Sequence, residues 1–178
     1  MKKSTTNCLL PHLFAVLLLI MSCQSVYYDT MEKFGYQKRD ILVDRVEDAR
    51  DTQQEAKDQF QSALEHFSTV VNFRGGELEE KYNKLNGELK QCESKAGAVS
   101  NRIAAVEDVA EALFAEWKEE LAQYTNANLR RSSQRKLDQT RKRYQQLIGA
   151  MKRAEVKIDP VLAAFRDQVL FLKHNLNA

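Results

Sequence analysis

Apolar side chains recur at alternating steps of three and four residues along most of this chain, and this spacing limits the folds that it can adopt. In the first segment the positions are Leu42, Val46, Ala49, Gln53, Ala56, Phe60, Ala63, Phe67 and Val70. In the second they are Leu78, Tyr82, Leu85, Leu89, Cys92, Ala96, Val99, Ile103, Val106, Ala110, Leu113 and Trp117. This heptad spacing is typical of a coiled coil, so it predicts long helices that pack along an apolar seam.

A third segment follows the same pattern. Its seam positions are Leu137, Thr140, Tyr144, Leu147, Met151, Ala154, Ile158, Leu162, Phe165, Val169, Leu172 and Leu176. Asp159 before Pro160 is typical of an N-cap followed by proline in the first helical turn, which predicts a kink at Pro160. Ile148 and Phe171 fall outside the seam, and we interpret them as a residual apolar stripe through which the chain could form a homo-oligomer.

Turn-forming residues separate the three segments at residues 72–76 and 125–128, whereas the chain as a whole has only six Gly and two Pro. Helices of similar length joined by short turns pack as antiparallel neighbours. We therefore predict an all-α fold: an elongated antiparallel three-helix coiled-coil bundle over residues 37–178, preceded by a short helix that ends before Gly35. Gln53, the polar seam residue of the first segment, is predicted to lie opposite residues 96–97 and to fix the helix register.

Residues 1–22 have the features of a secretory signal. Lys2 and Lys3 precede an apolar run at residues 8–20, which is shorter than the roughly 20 residues of a transmembrane helix. Residues 20–23 resemble the lipobox of bacterial lipoproteins, which implies cleavage before Cys23 and lipid attachment, including palmitate, at that cysteine. Gln24 in place of an aspartate favours the outer membrane, facing the periplasm. The alternative is an ordinary signal peptide with an incidental cysteine.

The charge balance excludes nucleic acid as an expected partner. The chain has 27 Lys and Arg against 25 Asp and Glu, and loss of Lys2 and Lys3 with the signal leaves 25 of each. Cys92 then remains as the one cysteine without an assigned role, since Cys8 leaves with the signal. Its seam position predicts a buried apolar residue, with an intermolecular disulfide as the alternative.

A basic segment follows the second turn. Arg130, Arg131, Arg135 and Lys136 are candidate contacts for anionic phospholipid or another anionic partner. Residues 23–36 are the predicted lipid anchor and entry helix. If the first long helix runs away from the membrane after them, the second helix returns, and the second turn lies near the membrane. The cations between residues 141 and 153 have a different interpretation, in which acidic residues of the first helix neutralise them. Those acids are Asp40, Asp44, Glu47, Asp48, Asp51 and Glu55.

Aromatic residues concentrate near the same predicted end of the bundle. They are Tyr27, Tyr28, Phe34, Tyr36, Phe114, Trp117 and Tyr124. One interpretation is a belt at the membrane interface. The other, which we favour, is a bulky end of the core that closes the bundle around Trp117. At the opposite end, Phe73 and Arg74 are candidate contacts for a partner at the distal tip.

No arrangement of residues typical of catalysis is found in the sequence. His66 and His174 have no carboxylate or second imidazole at the spacing of a metal site. The glycines at positions 75 and 76 link two predicted helices and do not follow a strand, so they do not indicate a phosphate-binding loop. We therefore expect neither a cofactor nor enzymatic activity.

The chain resembles a family of proteobacterial lipoproteins of unknown function with predicted coiled coil. The features that carry the resemblance are Cys23, residues 27–36 and the turn at residues 71–78. It implies the same fold class and adds no activity. We expect a lipid-anchored structural or interaction protein of the bacterial envelope, with an envelope protein as partner. The alternative is a carrier or chaperone-like protein that binds an apolar ligand or lipid near the small residues at positions 94–100.

Overall fold

A computed structural model describes residues 27, 28, 31, 35–71 and 78–176. Every regular element in those ranges is an α-helix: α1 (Lys38–Val71), α2 (Leu78–Leu121), α3 (Ala127–Glu155) and α4 (Ile158–Leu176). The chain divides into two compact units, Met1–Ile41 and Leu42–Ala178. The prediction of an all-helical fold is confirmed.

The first unit contains a helix end at the predicted position. Gly35 has a φ of 88°, in the left-handed region that glycine adopts without steric strain. The backbone N–H of Tyr36 donates to the carbonyl of Met31 across 3.0 Å. This bond, with a left-handed glycine just before its donor, is the pattern that ends many helices.

The seams predicted for α1 and α2 are confirmed wherever the structure describes the side chain. Every seam residue from Leu42 to Phe67 and from Leu78 to Trp117 is buried or half-buried. In the second unit α2 packs against both α3 and α4, and its fully buried side chains include Leu85, Val99 and Val106. Burial of each such side chain contributes roughly 1.5–3 kcal/mol, so α2 supplies much of the core.

Ion pairs join α1 to α2 along the outside of their seam. Nζ of Lys95 lies 2.6 Å from Oε2 of Glu55, and Nη1 of Arg102 lies 3.4 Å from Oδ2 of Asp48. A residue nearer the start of α1 therefore pairs with a residue nearer the end of α2. Both pairs are exposed to solvent, so each adds about 1 kcal/mol or less.

The predicted seam of α3 is wrong at two positions. Leu147 is 38% exposed, whereas Ile148 is 9% exposed and packs in the core. Ala154 is likewise exposed, and the half-buried Glu155 takes its place. The reason is that only the positions 141, 148 and 155 continue in step with the seam of α4. Two of those three residues are charged, so apolar periodicity alone does not select these positions. Phe171, by contrast, is exposed as expected.

The break in the third segment lies before Pro160, at residues 156 and 157, and not at the proline itself. α4 begins at Ile158, so Asp159 and Pro160 stand inside its first turn and Asp159 is not the N-cap. A proline ring clashes with the carbonyl four residues earlier, here that of Val156, and cannot donate a hydrogen bond to it. The helix is interrupted at that carbonyl.

The turn before α3 is confirmed, with Asn126 as the N-cap. Its side-chain oxygen accepts from the backbone N–H groups of Asn128 at 2.9 Å and Leu129 at 3.2 Å. An asparagine side chain satisfies N–H groups that have no partner within the helix, and it is among the preferred residues at this position. This cap fixes where the basic segment of α3 begins.

Gln53 has a hydrogen-bond partner that its seam position did not predict. Its side-chain Nε2 donates to the backbone carbonyl of Met151 in α3 across 3.3 Å. A polar seam residue therefore links α1 to α3. Because an unpaired amide in a core is costly, the bond favours the register in which Gln53 meets a carbonyl.

Candidate functional site

α3 presents a dense group of cations to solvent. It carries nine Lys and Arg residues against two acidic residues. Six exposed cations lie in its first seventeen residues, and we call them the basic face: Arg130, Arg131, Arg135, Lys136, Lys142 and Arg143. The four predicted contact residues belong to this group, and the structure adds Lys142 and Arg143, which sequence reasoning assigned to pairing with α1.

The acidic residues of α1 do not neutralise α3, contrary to that prediction. Their observed partners lie within α1 or on α2: Asp40 with Arg39, Asp48 with Arg45 and Arg102, Asp51 with Arg50, and Glu55 with Lys95. Among the described residues no ion pair joins α1 to α3. Asp40, Asp48, Asp51 and Glu55 each lie beside a cation of the same helix or of the adjacent α2, and no ion pair of Asp44 or Glu47 is seen among the described residues.

Two other cations of α3 have partners on α2. The guanidinium of Arg141 lies 5.2 Å from the ring centroid of Phe114, and Nζ of Lys152 lies 2.5 Å from Oε1 of Glu107. No cation of the basic face forms an ion pair with a carboxylate in the described part of the chain. Arg131 donates to the side chain of Asn128 in its own helix. The charge of the basic face is therefore available to an external anion.

Exposed apolar side chains stand at the start of the basic face. Tyr124 is 41% exposed and Leu129 is 57% exposed. Cations beside exposed aromatic and aliphatic residues are typical of segments that bind anionic membrane surfaces, because the cations meet the headgroups and the apolar groups enter the interface. The start of α3 has this combination.

The aromatic residues of α2 near this turn belong to the core. Phe114 is buried, and its ring packs edge-on against Tyr144 with centroids 5.4 Å apart. The indole N–H of Trp117 donates to the hydroxyl oxygen of Ser133 across 2.8 Å. These contacts favour the interpretation of Phe114 and Trp117 as the end of a core, and they leave Tyr124 as an interfacial candidate.

Sequence reasoning missed a polar cluster that joins α1 and α2. His66 Nδ1 lies 2.9 Å from Oε1 of Glu88, and Gln59 donates to Oε2 of the same carboxylate across 2.8 Å. Cys92 lies one turn beyond Glu88 and is fully buried, as its seam position predicts. Burial raises the pKa of the Cys92 thiol to about 11, and the charge of Glu88 adds to the effect. Because Glu88 lies on the next helix, no local spacing in the sequence indicates its contact with His66.

An apolar groove of about 450 Å³ runs between α1 and α4. Its walls are Phe60, Ala63, Leu64, Phe67, Pro160, Val161, Ala164, Phe165 and Gln168. The rings of Phe67 and Phe165 lie 6.4 Å apart, and Leu64 on the wall is 66% exposed. This space differs from the predicted ligand region at residues 94–100, of which Val99 lines the second groove described next.

A polar groove of about 640 Å³ adjoins it and shares Phe60 and Val161. Its charged walls are Arg50, Asp51, Lys57, Glu155 and Lys157. Three of these five have partners, since Arg50 pairs with Asp51 at 2.9 Å and Glu155 accepts from Ser100. Lys57 and Lys157 form no ion pair with a carboxylate of the described residues, and the hydroxyl of Ser100 does not neutralise Glu155, so three cations against two carboxylates leave this groove a net positive charge.

Three predicted site residues, Cys23, Phe73 and Arg74, lie outside the described residues, as does the predicted signal at residues 1–22. No helix in the described ranges is both long and apolar enough to cross a membrane. No three His, Cys, Asp or Glu side chains within those ranges are grouped so that they could hold a metal ion.

Comparison with known proteins identifies a family. Residues 27–178 match the family described as "Protein of unknown function (DUF2959)". No curated protein and no solved structure matches the chain. The match covers the four helices and the segment that precedes them. The chain therefore belongs to the DUF2959 family of proteins of unknown function.

Proposed function

We propose that this chain is a lipid-anchored structural and interaction protein of the bacterial envelope, and that the basic face of α3 binds anionic phospholipid. The observation that carries the proposal is the unpaired charge of that face, because the acids of α1 pair within α1 or with α2. Each cation close to an anionic surface adds about 1 kcal/mol to binding. Arg131, Arg135 and Lys142 recur at steps of four and seven residues, so these three lie on one side of α3 and can meet one surface together.

The proposed scaffold is an antiparallel three-helix coiled-coil bundle, with α3 and α4 as one interrupted third helix. Its support is the alternation of three- and four-residue steps through α1 and α2, together with the ion pairs of Glu55 and Asp48 with α2. In such a bundle each helix turns one side to the shared core and the other to solvent, so α3 can present its cations outward.

The proposed location is the outer membrane, facing the periplasm, with lipid on Cys23. The support for this part comes from the lipobox-like residues 20–23 and from Gln24. Several acyl chains make a durable anchor, since each buried methylene adds about 0.8 kcal/mol. Metabolic labelling with palmitate tests it: we expect label on the wild-type protein and none on Cys23→Ala.

Photo-crosslinking in cells tests the lipid contact of α3. A photoreactive amino acid replaces Gln139, which is exposed among the basic-face cations, and in the control it replaces Ala115, exposed on α2. In cells grown with radiolabelled phosphate, we expect labelled phospholipid adducts at position 139 and far fewer at 115. Adducts at 139 that contain only protein would instead identify an acidic protein partner.

A second candidate function is that of a carrier for an apolar ligand, and the apolar groove between α1 and α4 favours it. Its volume of about 450 Å³ falls within the usual range of ligand sites, roughly 300–1,000 Å³. Eight of its nine lining residues are apolar, and two of those, Leu64 and Val161, are more than half exposed. Lipid extraction of the purified protein followed by mass spectrometry tests this candidate.

A further inference from the structure

The apolar groove and the polar groove adjoin, and their walls differ in chemistry. Phe60 of α1 and Val161 of α4 line both spaces, so the two grooves meet at these side chains. Beyond them on one side stand Phe67, Phe165 and other apolar residues, and on the other side stand the charged groups of α1, α3 and α4. A ligand that fills both must be apolar at one end and polar at the other.

The polar end favours an anion. Arg50 is engaged by Asp51, with two hydrogen bonds of 3.0 and 2.9 Å, and Glu155 accepts from Ser100. Outside the pair of Arg50 and Asp51, the charges of this groove are the ammonium groups of Lys57 and Lys157, which form no ion pair in the described part of the chain, and the carboxylate of Glu155, so the net charge is positive. They come from different elements, α1 and the break between α3 and α4. An anionic head group could form ion pairs with both lysines.

The apolar end fits a narrow chain. Lys57 and Phe67 are ten residues apart on α1, which is about 15 Å at 1.5 Å per residue. An extended chain gains about 1.2 Å per bond, so this length takes roughly a dozen methylene groups. A partner helix about 10 Å in diameter would need far more space than about 450 Å³.

We propose that the joined grooves bind a single-chain amphiphile, with its acyl tail along Phe60, Phe67 and Phe165 and its carboxylate or phosphate head between Lys57 and Lys157. This inference rests on the second candidate function, ligand carriage, and is independent of the basic face. It names the ligand class that the groove alone does not, and it places the head at two lysines.

Photo-affinity labelling in isolated envelopes that contain the full-length protein tests the proposal. The probes are hexadecanoate and hexadecanol, each with a photoreactive group in the tail, and labelled peptides are mapped by mass spectrometry. We expect hexadecanoate to label peptides of α1 and α4 that line the apolar groove. Ala164→Trp should fill the groove and reduce this labelling about tenfold, which corresponds to roughly 1.4 kcal/mol. Ala163→Trp is the matched control, because Ala163 is also exposed and does not line the groove.

Lysine variants separate the head from the tail. Lys57→Gln with Lys157→Gln should reduce hexadecanoate labelling several-fold and leave hexadecanol labelling unchanged, whereas Lys90→Gln with Lys118→Gln should change neither. Equal labelling by both probes in every lysine variant would overturn the anionic head and leave the carrier function standing. Absence of label from the groove peptides of the wild-type protein would overturn both. Loss of cross-linked dimers in Ala164→Trp, without groove labelling, would assign the groove to a second copy of the chain.

Discussion

α2 and α3 belong to the same helical unit and differ in how they use their side chains. α2 is 44 residues long and buries ten side chains, whereas α3 is 29 residues long and buries Leu137, Ile148 and Met151. The charged residues of α2 include partners for α1, α3 and α4, among them Lys95, Glu107 and Glu93. Most cations of α3 have no such partner. The comparison indicates that the side chains of α2 contribute more to the stability of the fold than those of α3 do.

The largest expected effect is a loss of stability when a buried leucine of α2 is truncated. Leu85 of α2 is 0% exposed, so Leu85→Ala should lower the free energy of unfolding by about 2–5 kcal/mol through the cavity it leaves. Leu129→Ala in α3 is the control, since that leucine is 57% exposed and its loss should change stability by about 0.5 kcal/mol or less. Urea unfolding followed by circular dichroism measures both. Equal losses would contradict the difference between the two helices.

A pH effect is expected from Cys92, a fully buried thiol on α2. Because burial raises its pKa to about 11, the folded protein keeps the thiol proton between pH 9 and 11 while the unfolded chain releases it. The contribution of the thiol to the free energy of unfolding is therefore fully present below about pH 9. It falls by up to about 1.4 kcal/mol per pH unit between pH 9 and the folded pKa.

The measurement is the free energy of unfolding against pH for the wild-type protein and for Cys92→Ala. The variant should be less stable at neutral pH because of its cavity, and it should lose less stability than the wild-type protein between pH 9 and 11. Burial also raises the pKa of Tyr144, but that group is common to both proteins and cancels in the difference. Parallel curves would show that the thiol ionises normally in the folded state.

A smaller loss of stability is expected from the hydrogen bond that joins α2 to α3. Trp117→Phe removes the N–H that donates to Ser133 and should lower stability by about 1 kcal/mol. Ser133→Ala should cause a similar loss, and the double variant should lose less than the sum of the two, since both single changes remove one bond. Full additivity of the two losses would show that the hydrogen bond contributes nothing.

The seams of α1 and α2 could be predicted because nearly all of their positions are apolar, and the period alone then identifies the buried side. α3 shows the limit of that method. Its seam includes Arg141, which lies over the ring of Phe114, and Glu155, which bonds to Ser100. A charged residue at a seam position is recognised only when its partner on another helix is known.

The candidate sites were predictable to different degrees. The cations of the basic face are visible as a cluster in the sequence, but their lack of acidic partners depends on how α1 and α2 pair. His66 and Glu88 are 22 residues apart on different helices, so no local spacing connects them. The apolar groove depends on the distance between α1 and α4, which apolar periodicity does not specify.

The most direct test of the account is the binding of residues 24–178, which lack the lipid attachment site, to vesicles with and without anionic phospholipid. Arg131→Gln, Arg135→Gln and Lys142→Gln together should weaken binding to anionic vesicles roughly a hundredfold, at about 1 kcal/mol per charge. The matched triple change of Lys84, Lys90 and Lys118 to Gln on α2 removes the same charge and should have little effect. Equal weakening by the two triple variants, or equal binding to neutral vesicles, would contradict the assignment of α3 as the binding helix.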